Sequence, residues 1–383
     1  MTYGSPTLRF THRTARVTIV LTDYTEGLAS VRLTGLSTEG DNPDIIVPYD
    51  KGSNTYIALV APQSVAAGKA FITCTFTNGK TFVYKMKNAT DWQAGGEYTY
   101  TVSLAAARGY TIEDDGSYTV TSADGLMNIA ELVNGGKSDI NITLDKNIDL
   151  TGKDWTPIGT DYDNSYKGTF DGGGHTITGL TFTTNDEYAG LFGWLNRAGT
   201  VKNVVMEGVQ ITSNQIYGGS IGGVVGYSWG TIENCSVSGS VSGTVYVGGV
   251  VGAQIGGSIT GCSSSATVKG TVDVGGVAGQ TNSSATLTAC YATGNVTSTG
   301  SSTGYMHIGG FLGNNYTTVT ACYWKNNHEQ GIGYNTKSTK VTKVDGSVVT
   351  WQKAVDAMNT ALQNAGSEWR YELNGTLPTL RKQ

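Results

Sequence analysis

Four cysteines recur in the second half of the chain, Cys235, Cys262, Cys290 and Cys322, at intervals of 27, 28 and 32 residues. Four thiols could hold a soft metal, which needs ligands converging on one point. They could pair as disulfides, which needs Cβ vectors that face each other. They could also fill a core as small apolar groups. A recurrence this regular implies stacked side chains that all point one way. Packing is therefore the expected role, with a disulfide between neighbouring copies as the alternative and a metal as the remaining one.

Other residue types offer less. In "TFDGGGHTITGL", Asp171 and His175 flank three glycines, but no Gly-Lys-Ser/Thr follows, so a phosphate loop is not indicated. A turn aspartate and a surface-ladder histidine account for the pair. His12, His307 and His328 are the other histidines, and none lies near His175 in sequence. A glycosidase needs two carboxylates at controlled separation. Residues 188–324 contain only Glu207, Glu233 and Asp273, with Arg197 the one arginine. Upstream, Asp145, Asp149, Asp154, Asp161 and Asp163 form a looser acidic region without the spacing of a calcium loop. No catalytic, cofactor-binding or metal residue is assigned, and no cofactor is expected.

The bulk composition agrees. Of 383 residues 54 are glycine, 21 are tyrosine and only 14% are charged, which describes an all-β surface of Ser, Thr, Asn and Tyr. A net charge of −5 without a basic cluster gives no reason to expect nucleic acid. No apolar run is long enough to span a bilayer.

Residues 1–106 read as an antiparallel β-sandwich. "ARVTIVLT" puts Ala15, Val17, Ile19 and Leu21 on one face. Ile72, Cys74 and Phe76 face inward before an Asn78-Gly79 turn, and Phe82, Tyr84 and Met86 return. A short helix is expected near 122–134, with Thr121 and Asp124 in its capping pattern and Leu126, Ile129, Leu132 and Val133 as its stripe. A second is expected near 350–364, capped by Thr350 and stopped at Gly366.

Between the helices the chain repeats itself. Glycine-rich stretches end at Gly193, Gly226, Gly252, Gly279 and Gly313, spaced 33, 26, 27 and 34 residues. The cysteines follow, with Val204 standing in for the first. Val201, Ile232, Ile259, Leu287 and Val319 each come three residues earlier. Such a period calls for stacked coils, and 26 or 27 residues is too short for a propeller blade. The expectation is a right-handed parallel β-helix over 107–340, glycines turning its corners by φ > 0 or close backbone approach. Eight or nine coils would extend roughly 40 Å. The two helices are expected to cover its open ends, the C-terminal one within a cap at 341–383.

The repeat "GG-V-V-G…G-T-I-E-N-C-S-V-S-G-S-V" resembles the GLUG motif of bacterial surface and secreted proteins. "DWTPIG", "GTFDGGGHTITGL" and "AGLFG" resemble the coils that precede it, and "WQKAVDAMN" with Trp369 and "LPTL" resembles its closing segment. "LRFTHRTARVTIVLT", "YIALVAPQSVAAGKAFITCTFTNGKTFVYKM" and "WQAGGEYTYTVSL" are similar to fimbrillin-like proteins of Bacteroides-type gut bacteria. These resemblances imply a non-enzymatic adhesion or ligand-binding protein at the cell surface. It would be peripheral to the outer membrane through an upstream lipid anchor, with a glycan or a protein as ligand. A polysaccharide-processing lyase or hydrolase and a pilus-associated subunit are the alternatives.

Overall fold

The computed structural model describes residues 13–23, 25, 27–39, 43–77, 79, 81–300 and 306–383. They divide into two compact units between Arg108 and Gly109.

The first unit contains β1 (Ala15–Thr22), β2 (Leu28–Leu33), β3 (Tyr49–Gly52), β4 (Thr55–Val60), β5 (Gln63–Val65), β6 (Ala70–Phe76), β7 (Thr81–Lys85), β8 (Thr90–Trp92) and β9 (Glu97–Ser103). One sheet runs β3-β4-β1-β9 and another β2-β6-β7, with β5 and β8 as a separate pair. Alternation puts Ala15, Val17, Ile19 and Leu21 of β1 in a common core with Val31, Leu33, Phe71, Cys74, Trp92 and Val102, so the sheets share one apolar interior. Two details differ from the sequence reading. The sheet is not wholly antiparallel, because β1 and β9 pair in parallel, from Arg16↔Glu97 to Thr22↔Ser103. A tight hairpin forces reversal, but β9 reaches β1 only after the chain has visited the other strands, so it can arrive in the same direction. A register shift between Ala70 and Ile72 also turns Phe71 inward beside Ile72. Asn78 of the expected turn lies outside the described residues, as does His12.

The second unit is a parallel β-solenoid. One coil illustrates the rest: strands Ser220–Gly222, Val225–Ser228, Thr231–Glu233 and Ser236–Ser242. Each pairs in parallel with its counterpart one coil on, for example Ile221↔Val247, Val225↔Val251, Ile232↔Ile259 and Val241↔Val268. The expected Val201, Ile232, Ile259, Leu287 and Val319 ladder is continuous and buried. The solenoid makes about six turns where eight or nine coils are expected; one wall is longer and stacks eight rungs in parallel, Tyr118, Ile142, Phe170, Val201, Ile232, Ile259, Leu287 and Val319.

Helix α1 (Ala123–Asn134) is capped by Ser122, whose Oγ accepts from the Gly125 N–H at 3.1 Å. Thr121, expected at the cap, instead donates its hydroxyl to the Gly109 carbonyl. Helix α2 (Trp351–Asn364) is capped by Thr350 and buries Trp351, Ala354, Val355, Met358, Ala361 and Leu362. It does not lie over an open end. It packs on Ala289 and Tyr291, Ala321 and Tyr323, and Val344, which belong to successive coils. The hairpin of Trp369–Leu373 and Pro378–Lys382 continues this strap, with the Tyr371 hydroxyl on the Ala289 carbonyl and Leu380 against Gly261. The apolar face of α2 finds its matching surface on the side, where small residues clear a lane for it.

That lane is a corner of left-handed residues: Asn203, Asn234, Gly261, Ala289 and Ala321, with φ of 57, 53, 65, 54 and 48°. Asparagine tolerates this conformation, and its amides stack here, Asn234 Nδ2 on Asn203 Oδ1 at 3.1 Å and Asn203 Nδ2 on Asp171 Oδ1 at 2.9 Å. At Ala289 and Ala321 the side chain shrinks to fit beneath α2.

Candidate functional site

The five repeat glycines serve close approach alone. None of Gly193, Gly226, Gly252, Gly279 and Gly313 has positive φ. A Cβ on Gly226 would stand 2.6 Å from the Ser220 carbonyl oxygen and 2.9 Å from that of Gly193. Each glycine-rich arc therefore folds two strands of one coil back at backbone contact distance. Side chains on the outer faces of those strands are brought together as a seam.

The seam has two ladders. Two residues before each arc stand Tyr188, Ser220, Tyr246, Asp273 and His307, aligned coil on coil. Directly after each repeat glycine stand Trp194, Tyr227, Ala253, Gln280 and Asn314, and Tyr334 continues the row. The ladders touch across the seam. Tyr188 meets Trp194 at 4.7 Å and Tyr227 at 5.4 Å between ring centroids, Trp194 meets Tyr227 at 4.2 Å, and Tyr162 adds a fourth ring 5.9 Å from Trp194. The Tyr188 hydroxyl donates to Glu187 Oε1 at 2.6 Å. Burial first, then that carboxylate, hold the Tyr188 phenol well above its ordinary range.

Farther along, His307 Nδ1 and Asp273 Oδ1 are 2.6 Å apart, and Asn314 Nδ2 donates to Asp273 Oδ2 at 3.0 Å. Burial pushes the Asp273 carboxyl up, against the hydrogen bonds from His307 and Asn314. The His307 ring lies 4.9 Å from that of Tyr334, tilted 35°, and Tyr316 is 6.4 Å from Tyr334. A strip of rings and hydrogen-bonding groups thus follows the solenoid axis.

The sequence candidates fall elsewhere or take structural parts. Cys235, Cys262, Cys290 and Cys322 are free and buried. Each of the first three donates its backbone N–H to the sulfur of the next coil's cysteine at 3.4 Å, and the thiols lie 3.1–3.4 Å from carbonyls of their own coils. The ladder therefore carries hydrogen bonds as well as packing. Asp171 belongs to the asparagine corner. Burial would raise its carboxyl, but Asn203, the Gly173 N–H and Lys202 together hold it below the ordinary range. His175 is not joined to Asp171. Asp149 and Asp161 accept N–H bonds from Thr151 and from Asp163 and Asn164, as turn residues do. Arg197 lies over the Trp229 ring at 5.2 Å. Glu233 faces a groove beside the strap rather than the seam. Of the few repeat acids only Asp273 enters the seam, and its partner His307, 34 residues away, shares no motif with it in the sequence.

Residues 2–121 match the fimbrillin-like family, and residues 217–242 and 243–269 each match the GLUG motif. Halomucin of Haloquadratum walsbyi is 29% identical over 249 residues, 58% of this chain and 3% of that protein. A protein of Evansella cellulosilytica, provisionally named a Gly-rich membrane protein, is 33% identical over 129 residues, 31% of this chain and 14% of its own. The chain thus spans a small part of either relative. A crystal structure from Bacteroides ovatus, provisionally named an immunoglobulin A1 protease, is 20% identical with a TM-score of 0.48, covering 70% of this chain and 93% of that one. No helix among the described residues is long and apolar enough to cross a membrane. The chain carries a fimbrillin-like domain at its start and GLUG motifs on the coils of its β-solenoid.

Proposed function

We propose that this is a non-enzymatic surface protein that binds a neutral glycan along its seam. The fimbrillin-like and GLUG matches support a surface location, at the exterior of an outer membrane. The observation that carries the ligand class is the cluster of Tyr162, Tyr188, Trp194 and Tyr227, with Tyr162 71% exposed. Sugar rings present C–H faces that stack on aromatic rings and hydroxyls that need partners. Glu187 and the tyrosine hydroxyls supply those partners. Neither ladder contains a lysine or arginine, and Glu187 and Asp273 would repel a polyanion. Binding is favoured over turnover because Asp273, the one ladder carboxylate, is sealed by His307 and Asn314 and has no second carboxylate across the seam.

A glycan array probed with the wild-type protein and with Trp194→Ala tests this. Binding to uncharged glycans, weakened at least about tenfold by the substitution, is the expected result. A blank array would overturn the glycan reading. Shortened products released from a bound glycan would overturn the non-enzymatic one.

A further inference from the structure

The aromatic cluster occupies one end of the seam, and the other end is built differently. Asp273 is 3% exposed, and both its oxygens are engaged, by His307 and Asn314. An ionised carboxylate only accepts, so His307 donates its Nδ1–H inward and turns Nε2 outward, an acceptor for a hydroxyl when the ring is neutral and a donor to one when it is charged. The imidazole is fixed in tautomer and orientation by a group that solvent cannot reach. Beside it stands Tyr334, 45% exposed, its ring 4.9 Å from the imidazole, with Tyr316 behind at 6.4 Å. An open ring face next to an oriented imidazole nitrogen suits one sugar, which stacks on Tyr334 and pairs a hydroxyl with His307 Nε2.

We propose that His307 and Tyr334 form a second sugar subsite, and that one linear, uncharged glycan chain laid parallel to the solenoid axis fills it together with the Trp194 cluster. This rests on the glycan reading above and adds the ligand's shape and direction. Trp194 and Tyr334 belong to one ladder, with Tyr227, Ala253, Gln280 and Asn314 between them. Five coil steps separate them, about 24 Å. A sugar in an extended chain advances by nearly the rise of one coil, so successive sugars meet successive rungs. A chain crossing the axis would meet a single rung, because the seam is two side chains wide. Ala253, small and buried, keeps the middle of the row low, and Tyr246 lies on the facing ladder between the two ends.

The test is calorimetric titration of the full chain with linear β-1,4-linked gluco- and manno-oligosaccharides, from the disaccharide to the hexasaccharide. Affinity is expected to rise by at least about tenfold once the chain reaches both ends, because the second contact becomes intramolecular. Tyr334→Ala should abolish that rise; its exposed site makes misfolding a small risk. His307→Gln, which keeps a side-chain amide facing Asp273, should also flatten the rise. Length-independent binding that Trp194→Ala still weakens would overturn the second subsite and leave the glycan reading standing. Failure of every oligosaccharide to bind would overturn the axial chain, and only a blank glycan array would remove the underlying function as well.

Discussion

Tyr188 and Trp194 meet edge to face, 4.7 Å between centroids and 83° between planes, across the arc that holds Gly190 and Gly193. They pair into different sheets, Tyr188 with Ser220 and Trp194 with Tyr227. Their contact exists because the glycine arc brings the two strand faces together. An edge-to-face pair is worth about 1 kcal/mol beyond area burial. A double-mutant cycle of Tyr188→Ala and Trp194→Ala in urea unfolding should therefore return about that coupling. Additivity to within a few tenths of a kcal/mol would mean the rings are neighbours without being partners.

The same arc predicts an unequal response of glycines. A Cβ on Gly252 would stand 2.3 Å from the Ile221 nitrogen and 2.6 Å from the Gly226 oxygen, backbone atoms that cannot rotate away. Gly208 has φ of 65° and nothing within 4 Å of the added atom. Gly208→Ala should cost about 1–2 kcal/mol, the strain of the left-handed region. Gly252→Ala should cost about 3 kcal/mol or more by forcing two coils apart. Denaturant midpoints of the two variants decide it, and equal losses would remove close approach as the reason for the repeat.

Much of this was legible in the residues. The period and the Val201 to Val319 ladder give the stacked coils, because interior positions in a solenoid tolerate few residue types. The seam was legible too, at positions bracketing each arc: Tyr188 and Trp194, Ser220 and Tyr227, Asp273 and Gln280, His307 and Asn314. It does not stand out there because those residues vary in type while the glycines between them do not. The left-handed corner was hidden for a similar reason. It uses asparagine, glycine and alanine in turn, each chosen by what packs above it. The course of the α2 strap depends on that choice, since only small residues at 289 and 321 admit a helix there, and no local pattern in α2 states where its apolar face will land.

The thiol ladder makes a chemical prediction. All five cysteines are free and buried. Burial pushes the Cys262 and Cys322 thiols well up and Cys74 up to about 11, while Cys290, against its burial, is pulled down by hydrogen bonds with Cys262 and Cys322; what protects all five alike is that the dry interior keeps a reagent from reaching the sulfur. A disulfide-exchange reagent at mildly alkaline pH should therefore label none of them in the folded protein and all five in denaturant. Fewer than five after unfolding would reveal a bond between neighbours. Cys290→Ala should cost about 1–2 kcal/mol, because the Cys262 N–H loses its sulfur acceptor in a dry interior.

The last prediction concerns acid. Burial holds the folded Asp273 carboxyl above its ordinary value, so the folded chain takes up a proton there more readily than the unfolded chain. The associated stabilisation is complete below the unfolded value, near about pH 4, and is lost as pH rises through the folded one. Asp171 has the opposite sign. Its folded carboxyl is depressed, so its contribution is present above the ordinary range and is lost as pH falls; partly exposed, it contributes less. Melting temperatures of wild type and Asp273→Asn, followed from about pH 4 to about pH 7, should diverge in one direction, with the wild type losing ground to the variant as pH rises. His307 is the titratable group in direct contact with Asp273, and when charged it would pull that carboxyl down. Repeating the pair in a His307→Gln background should therefore enlarge the divergence. A constant difference across the range would show that Asp273 stays ionised throughout and that His307 compensates its burial in full.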